Sequence, residues 1–144
     1  LRATIVDTRN KILSWAEAKE RLAAYQQEGI KVLLVTGYFD PLLAPHARDL
    51  ADLARDARLI VLVLDPPEPI LPNRARAELV AALRSVSYVV PFEGEQALPL
   101  NEALRVAECV RLEEQHLDYR RQFVDHVLRR HDLAAATSLN PTTL

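Results

Sequence analysis

Lys31 to Leu50 reads KVLLVTGYFDPLLAPHARDL, a buried strand that runs through a glycine turn into a helix headed by proline and histidine. The apolar run Val32 to Val35 ends at Thr36-Gly37, where the absent side chain of Gly37 lets the backbone come close to a ligand. Asp40-Pro41 marks a turn, and Pro45 is suited to open a helix whose first N–H groups form an anion site by their dipoles alone. His46 falls on that first turn, where an imidazole can hydrogen-bond a phosphoryl oxygen and is easily shifted in charge near neutral pH. Strand, glycine turn and helix N-terminus in this order are how an α/β protein holds phosphate.

Periodicity and punctuation extend the reading in both directions. Upstream, Ser14-Trp15-Ala16-Glu17 is a capping-box pattern that opens an amphipathic helix to about Gln27, ended by Gly29. Lys31 to Thr36 is the first strand. The helix from Pro45 to about Arg55 is expected to set Ala47, Leu50, Ala51 and Ala54 on one face. Leu59 to Leu64 is a continuous apolar strand of the kind buried on both sides in a parallel sheet. A proline-rich loop, Asp65 to Pro72, leads to a helix from Arg74 to Arg84, with Leu79, Val80 and Leu83 expected inward. A strand at Tyr88 to Val90, a short helix at Leu100 to Val106 and a strand at Glu108 to Leu112 follow. Glu113 to Arg130 reads as a long helix with a stripe of Leu117, Val124, Val127 and Leu128, and no further strand is legible after Arg111. Strands alternating with helices predict an α/β, Rossmann-like parallel sheet of about four to five strands sandwiched by helices. A single domain over residues 1–133 with a loose tail from Ala134 to Leu144 is the expected organisation. In such a sheet the crevice lies at the carboxyl ends of the strands, which places the Thr36 to His46 turn, Asp65 and Arg111 around it.

Three stretches stand in order along the chain: KILS at Lys11 to Ser14, TGYFDPLLAPHARDL at Thr36 to Leu50, and RAELVAALRSVSYVVPF at Arg76 to Phe92. Together they resemble the nucleotidyltransferase superfamily, within it the cytidylyltransferase-like group that contains the ADP-heptose synthase nucleotidyl domain and glycerol-3-phosphate cytidylyltransferase. The family's His-x-Gly-His signature stands here as Leu43-Ala44-Pro45-His46, so only the second histidine is kept. The family's Lys-Gly after the second strand is replaced by DPPEPILPN, its Lys-Gly-Gly-Asp-Tyr after the fourth by Val110-Arg111-Leu112-Glu113-Glu114, and no lysine follows Lys31. Thr137-Ser138 lies near the end of the chain, in little apolar sequence, and makes a poor late Ser/Thr motif.

The resemblance implies a reaction in which an acceptor attacks the α-phosphate of a nucleotide and expels pyrophosphate, so the protein positions groups and neutralises oxygen charge. Removing one preorganised donor from such a site costs ~2.7–4 kcal/mol of transition-state stabilisation. On that ground the leading expectation is a noncatalytic nucleotide- or phosphate-binding module or scaffold, and the alternative is an active enzyme moving CMP or AMP from CTP or ATP to a phosphorylated small molecule. A purely structural interaction domain is the third reading. The candidate nucleotide- and phosphate-binding residues are Thr36, Gly37, Tyr38, Phe39, Asp40, His46, Arg76 and Arg111, with His46 the candidate catalytic residue. Arg76 matches an arginine of the family, while Arg111 stands about where its later lysine would be and could replace a lost cation, since guanidinium grips phosphate bidentately. Arg74 reads as a surface arginine. Magnesium would come with the triphosphate if the chain is active. Asp40 is read as a turn or capping residue or as a neighbour of that ion, and Tyr38 and Phe39 as pocket lining or apolar support.

Composition bounds the other readings. With 144 residues, about half of them (49%) hydrophobic, the chain is sized for one core. A formal net charge of -2 gives no broad attraction to nucleic acid or anionic membrane. The lone Cys109 excludes an internal disulfide and reads as a packed small hydrophobe. His116, His126 and His131 lack companions at zinc-ligand spacing, so no metal site is expected. The longest apolar runs are strand-sized, so no transmembrane span is expected, and a reducing cytoplasm fits. The family implies a homodimer, for which the last helix or Trp15 and the first helix are the candidate faces. A chain that opens on Leu1 and contains no Met reads as a piece of something longer.

Overall fold

The computed structural model describes residues 6–94 and 99–139. After a 3-10 turn at Thr8–Lys11, the elements run α1 Trp15–Gln27, β1 Val32–Gly37, α2 Ala44–Leu53, β2 Arg58–Val63, α3 Asn73–Ala81, β3 Tyr88–Pro91, α4 Leu100–Val106, β4 Glu108–Arg111 and α5 Glu113–Leu139. The four strands form one sheet in the order β3-β2-β1-β4, and every pair is parallel. The Rossmann-like expectation therefore holds, at the lower end of the expected strand count among the described residues.

Strand periodicity explains the two cores. Because successive side chains point to opposite faces, β1 and β2 send Leu33, Val35, Leu59, Val61 and Val63 to one side, where Leu50 of α2 and Ala77, Val80 and Ala81 of α3 cover them. Val32, Leu34, Ile60 and Leu62 point to the other side, against Ala18 and Leu22 of α1 and Ala103 of α4. All six residues of β1 are buried, as a central strand of a covered parallel sheet requires. Each such fully buried Leu, Ile or Val contributes about 1.5–3 kcal/mol relative to an exposed one. The start of α1 is the capping box seen in the sequence: Ser14 Oγ accepts from Glu17 N–H at 3.1 Å, and Glu17 accepts from Ser14 N–H at 3.1 Å. Its end follows from Gly29, which takes a φ of +74°.

Helix faces depart from the expectation in three places. Leu79 is 44% exposed, because α3 turns Arg76, Ala77 and Val80 inward instead. Ala51 lies on the exposed face of α2, whose inward residues are His46 and Leu50. The expected stripe on α5 is displaced by about a third of a turn: Leu117, Val127 and Leu128 are exposed, whereas His116 is buried and Tyr119, Arg120, Phe123 and Val124 are half-buried. The face of α5 that docks is largely polar and aromatic, so hydrophobicity alone does not mark it. The helix also continues to Leu139, through residues expected to be loose. Ala134-Ala135-Ala136 has the highest helix propensity of any residue type, and that outweighs the lack of an apolar period; residues 140–144 of the expected tail lie outside the described residues.

Topology fixes the crevice. β1 leads to β2 and β3 on one side, and β4 returns to its other side, so strand order reverses between β1 and β4. Thr36 at the end of β1 pairs in register with Arg111 at the end of β4. Ligands of open α/β sheets enter at such a switch point, beyond the carboxyl ends of the strands. Since α5 begins two residues after Arg111, its first turns cross that opening.

Candidate functional site

The turn after β1 is held from below by a buried arginine. Arg76 has no exposed surface, and its guanidinium donates to the carbonyls of Tyr38 (2.8 Å), Leu64 (2.7 Å) and Leu71 (3.0 Å). The same group donates to Asp65 and lies 4.0 Å from Asp40. Asp40 in turn accepts from the N–H groups of Ile70 (2.7 Å) and Leu71 (2.9 Å), which ties the loop after β2 to the turn after β1. Asp65 accepts from Asn73 Nδ2 (2.8 Å) and from Gly94 N–H (2.7 Å). Burial works against ionisation of Asp65, but hydrogen bonds from Asn73 and Gly94 together with the Arg76 charge hold its carboxyl below the ordinary value. In this arrangement Arg76 is a structural tie between two loops, the turn after β1 and the loop after β2. Asp40 is a capping residue of the loop at Ile70 and Leu71.

Above the turn sits an aromatic cluster built from three elements. Phe39 is fully buried with a φ of +49°, a left-handed conformation that is uncommon outside glycine. Its ring lies 4.5 Å from the His116 ring, edge-on, and 5.7 Å from His46, centroid to centroid. His46 and His116 stand edge-to-face at 4.5 Å, and Tyr119 closes over His46 at 5.0 Å. His46 Nδ1 accepts from Leu43 N–H at 2.9 Å, so the imidazole serves as a cap for the start of α2. His116 Nδ1 accepts from Tyr38 N–H at 3.0 Å and lies 3.4 Å from Phe39 N–H. With Nδ1 an acceptor in both rings, each carries its proton on Nε2, and both Nε2 atoms are buried without a partner among the described residues, as is Thr36 Oγ1. Burial lowers the pKa of His46 to about 4 and that of His116 to about 3, the neighbouring imidazole adding to the effect at His116. Both are neutral at pH 7.

Gly37 shows where the cluster sits. A Cβ at this position would lie 2.3 Å from His116 Cε1, 2.5 Å from its Nδ1 and 3.0 Å from Phe39 Cε2. The close approach that the sequence reserves for a ligand is thus made by the chain's own His116. Three more bonds fasten α5 in place: Tyr119 Oη donates to Asp49 of α2 at 2.7 Å, and Arg120 donates to the Pro67 carbonyl at 2.8 Å and to that of Glu68. A groove of about 330 Å³ remains between the start of α2 and α5, lined by Leu43, Pro45, Tyr119, Phe123 and His126 among others.

The site residues named from sequence therefore divide. Thr36, Gly37, Tyr38, Phe39 and His46 come together at the switch point, with Asp40 and Arg76 beneath them as ties. Arg111 stands at the rim, 47% exposed in its side chain, and pairs with Glu113 at 3.0 Å. Tyr38 is half-buried, and burial with the Glu113 charge raises its phenol pKa. His116, Tyr119, Arg120 and Asn73 were not singled out for this site. The signal was present for three of them: positions 116, 119 and 120 share one helical face directly after β4. At Asp40 and Asp65 the carboxylate oxygens already accept hydrogen bonds, and among the described residues no group of three His, Cys, Asp or Glu is placed to hold a metal ion.

A parallel β3-β2-β1-β4 sheet, a Thr-Gly-Tyr-Phe-Asp turn at the end of β1 and a histidine on the following helix form an α/β, Rossmann-like arrangement that resembles the cytidylyltransferase-like nucleotidyltransferase group. No family model matches the chain. Its homologues are bifunctional HldE proteins. The chain is 36% identical over 106 residues to that of Magnetococcus marinus, a match covering 67% of this chain and 22% of the relative. It is 36% identical over 92 residues to that of Cronobacter sakazakii, covering 57% and 19%, and 31% identical over 109 residues to that of Trichlorobacter lovleyi, covering 69% and 22%. The matches span about a fifth of the length of these curated relatives. No helix among the described residues is long and apolar enough to cross a membrane.

Proposed function

We propose that this is a cytidylyltransferase-like domain whose catalytic motifs are degraded and which works without catalysis, as a scaffold that keeps the phosphate turn of its relatives. The observation that carries the reading is the engagement of Arg76: its guanidinium is buried on three carbonyls and Asp65, so it has no arm for a triphosphate. The kept histidine supports the same reading, since His46 is buried, neutral and bound to Leu43 N–H. Leucine and proline stand at positions 43 and 45, where the family has histidine and glycine. Each lost donor costs ~2.7–4 kcal/mol of transition-state stabilisation, and the losses together leave little rate. A cytoplasmic setting and a homodimer belong to the proposal; the exposed Leu117, Val127 and Leu128 on α5 support the latter.

The alternative is an active nucleotidyltransferase using CTP or ATP, favoured by the exposed Arg111 at the rim of the crevice. Magnesium would then enter on the triphosphate. The deciding experiment is pyrophosphate release from CTP and ATP with magnesium and a panel of sugar phosphates. No turnover above background by the unmodified chain is expected, and measurable turnover would contradict the proposal.

A further inference from the structure

We infer that His116 is an internal plug: its Nδ1 takes the place of an anionic oxygen on the backbone N–H groups of Tyr38 and Phe39, and α5 is the bolt that holds it there. The inference rests on the reading above that the turn after β1 descends from a phosphate site, and adds how that site is closed.

The geometry of the turn is that of an anion receptor. Two successive backbone N–H groups, at 3.0 Å and 3.4 Å, converge on one acceptor, and the second belongs to a residue with positive φ. Successive N–H groups turned to one side form a concavity that binds anions. Here the acceptor is a neutral imidazole nitrogen. The cradle beside it is open because residue 37 has no side chain, and the ring fills it to within 2.3 Å of where a Cβ would stand.

A group that would suit an anion lies beside the ring without a partner among the described residues. His46 Nε2 is buried and polar, on a residue 1% exposed whose ring centroid lies 4.5 Å from that of His116. Buried donors left unmet are uncommon in a folded protein, because each costs free energy. An oxyanion in place of the imidazole would meet both backbone donors and stand beside the His46 ring, whose Nε2 has no partner among the described residues. The plug is removable in principle because it is not part of the sheet. It hangs from a helix fastened at this end by Tyr119 to Asp49 and by Arg120 to the Pro67 and Glu68 carbonyls.

The test is calorimetric titration with inorganic pyrophosphate of four versions of the chain: unmodified, His116→Ala, His116→Ala with Gly37→Ala, and Tyr119→Phe with Arg120→Ala. Folding is checked for each by circular dichroism. His116→Ala should bind pyrophosphate on the order of tenfold to a hundredfold more tightly than the unmodified chain, the factor by which two backbone hydrogen bonds hold the plug. Adding Gly37→Ala should abolish the gain, because the new methyl group occupies the vacated cradle. If His116→Ala does not fold, the Tyr119→Phe, Arg120→Ala chain carries the test: it leaves the cradle intact, and it should gain affinity and lose hydrogen-exchange protection at the Tyr38 amide. A folded opened variant that binds no better than the unmodified chain overturns the plug and leaves the noncatalytic reading standing. Turnover of CTP or ATP by the unmodified chain would overturn that reading itself.

Discussion

Gly37→Ala is the sharpest perturbation available, because the structure says what the added methyl meets. At 2.3 Å and 2.5 Å from two atoms of the His116 ring, it cannot coexist with the imidazole, and 3.0 Å to Phe39 leaves no retreat on that side. The φ of Gly37 is not in the left-handed region, so the backbone itself accepts alanine. The cost is therefore one of packing. Overpacking costs about 1–3 kcal/mol, and displacing His116 from Tyr38 N–H forfeits about 0.5–1.5 kcal/mol more. Restricting the unfolded chain returns about 0.4–1 kcal/mol. The net expectation is a loss of ~2–3 kcal/mol, read as a lower urea midpoint at unchanged slope. In a His116→Ala background the methyl group has space, and the same substitution should cost under ~1 kcal/mol. The double-mutant cycle should thus return a coupling of about 2 kcal/mol, within the range of residues in contact. Equal costs for Gly37→Ala with and without His116 would refute the claim that the ring fills the cradle.

Other consequences follow from the same contacts. Arg76→Lys should destabilise the fold by roughly 3–5 kcal/mol, because an ammonium cannot reach three carbonyls and Asp65 and leaves buried partners unpaired; urea denaturation checks it. Stability should fall as pH drops from 6.5 to 4: the unfolded chain protonates His46 and His116 near pH 6.5, whereas the folded chain holds them neutral down to about 4 and about 3, so acid favours unfolding. The linkage amounts to about 3 kcal/mol per histidine by pH 4, and a His116→Gln chain should show a shallower acid limb in urea titrations at several pH values. Ser14→Ala should cost ~1 kcal/mol by removing the cap of α1, visible as a lower melting temperature.

Much of the fold was legible because its signals are local. The apolar runs at Val32 to Val35 and Leu59 to Leu64, the Ser14 capping box and the Gly29 stop fix elements by periodicity and chain chemistry, and the observed ends differ from the reading by a residue or two. The site was legible as a place but not as a set of roles. Arg76 carried the family's position in the sequence, yet its partners, the carbonyls of Tyr38, Leu64 and Leu71, are backbone atoms that no side-chain pattern reveals. His116 was invisible for the complementary reason: it lies 79 positions from Gly37 in sequence, and a histidine on a charged helix looks like surface until the topology carries that helix across the crevice. The inward face of α5 was misread because hydrophobicity predicts burial only where apolar contact drives docking, and here a hydroxyl, a guanidinium and two imidazoles dock the helix.

The central claim is that the crevice is filled by the chain itself. It is tested most directly by proton NMR of the unmodified chain with millimolar CTP and magnesium, following the Overhauser contact between His116 Hε1 and the Gly37 α-protons. The account predicts a strong contact that persists when the nucleotide is added. A contact that is absent from the start, or one that vanishes as Thr36 to Phe39 amide resonances shift in a saturable way, would contradict it.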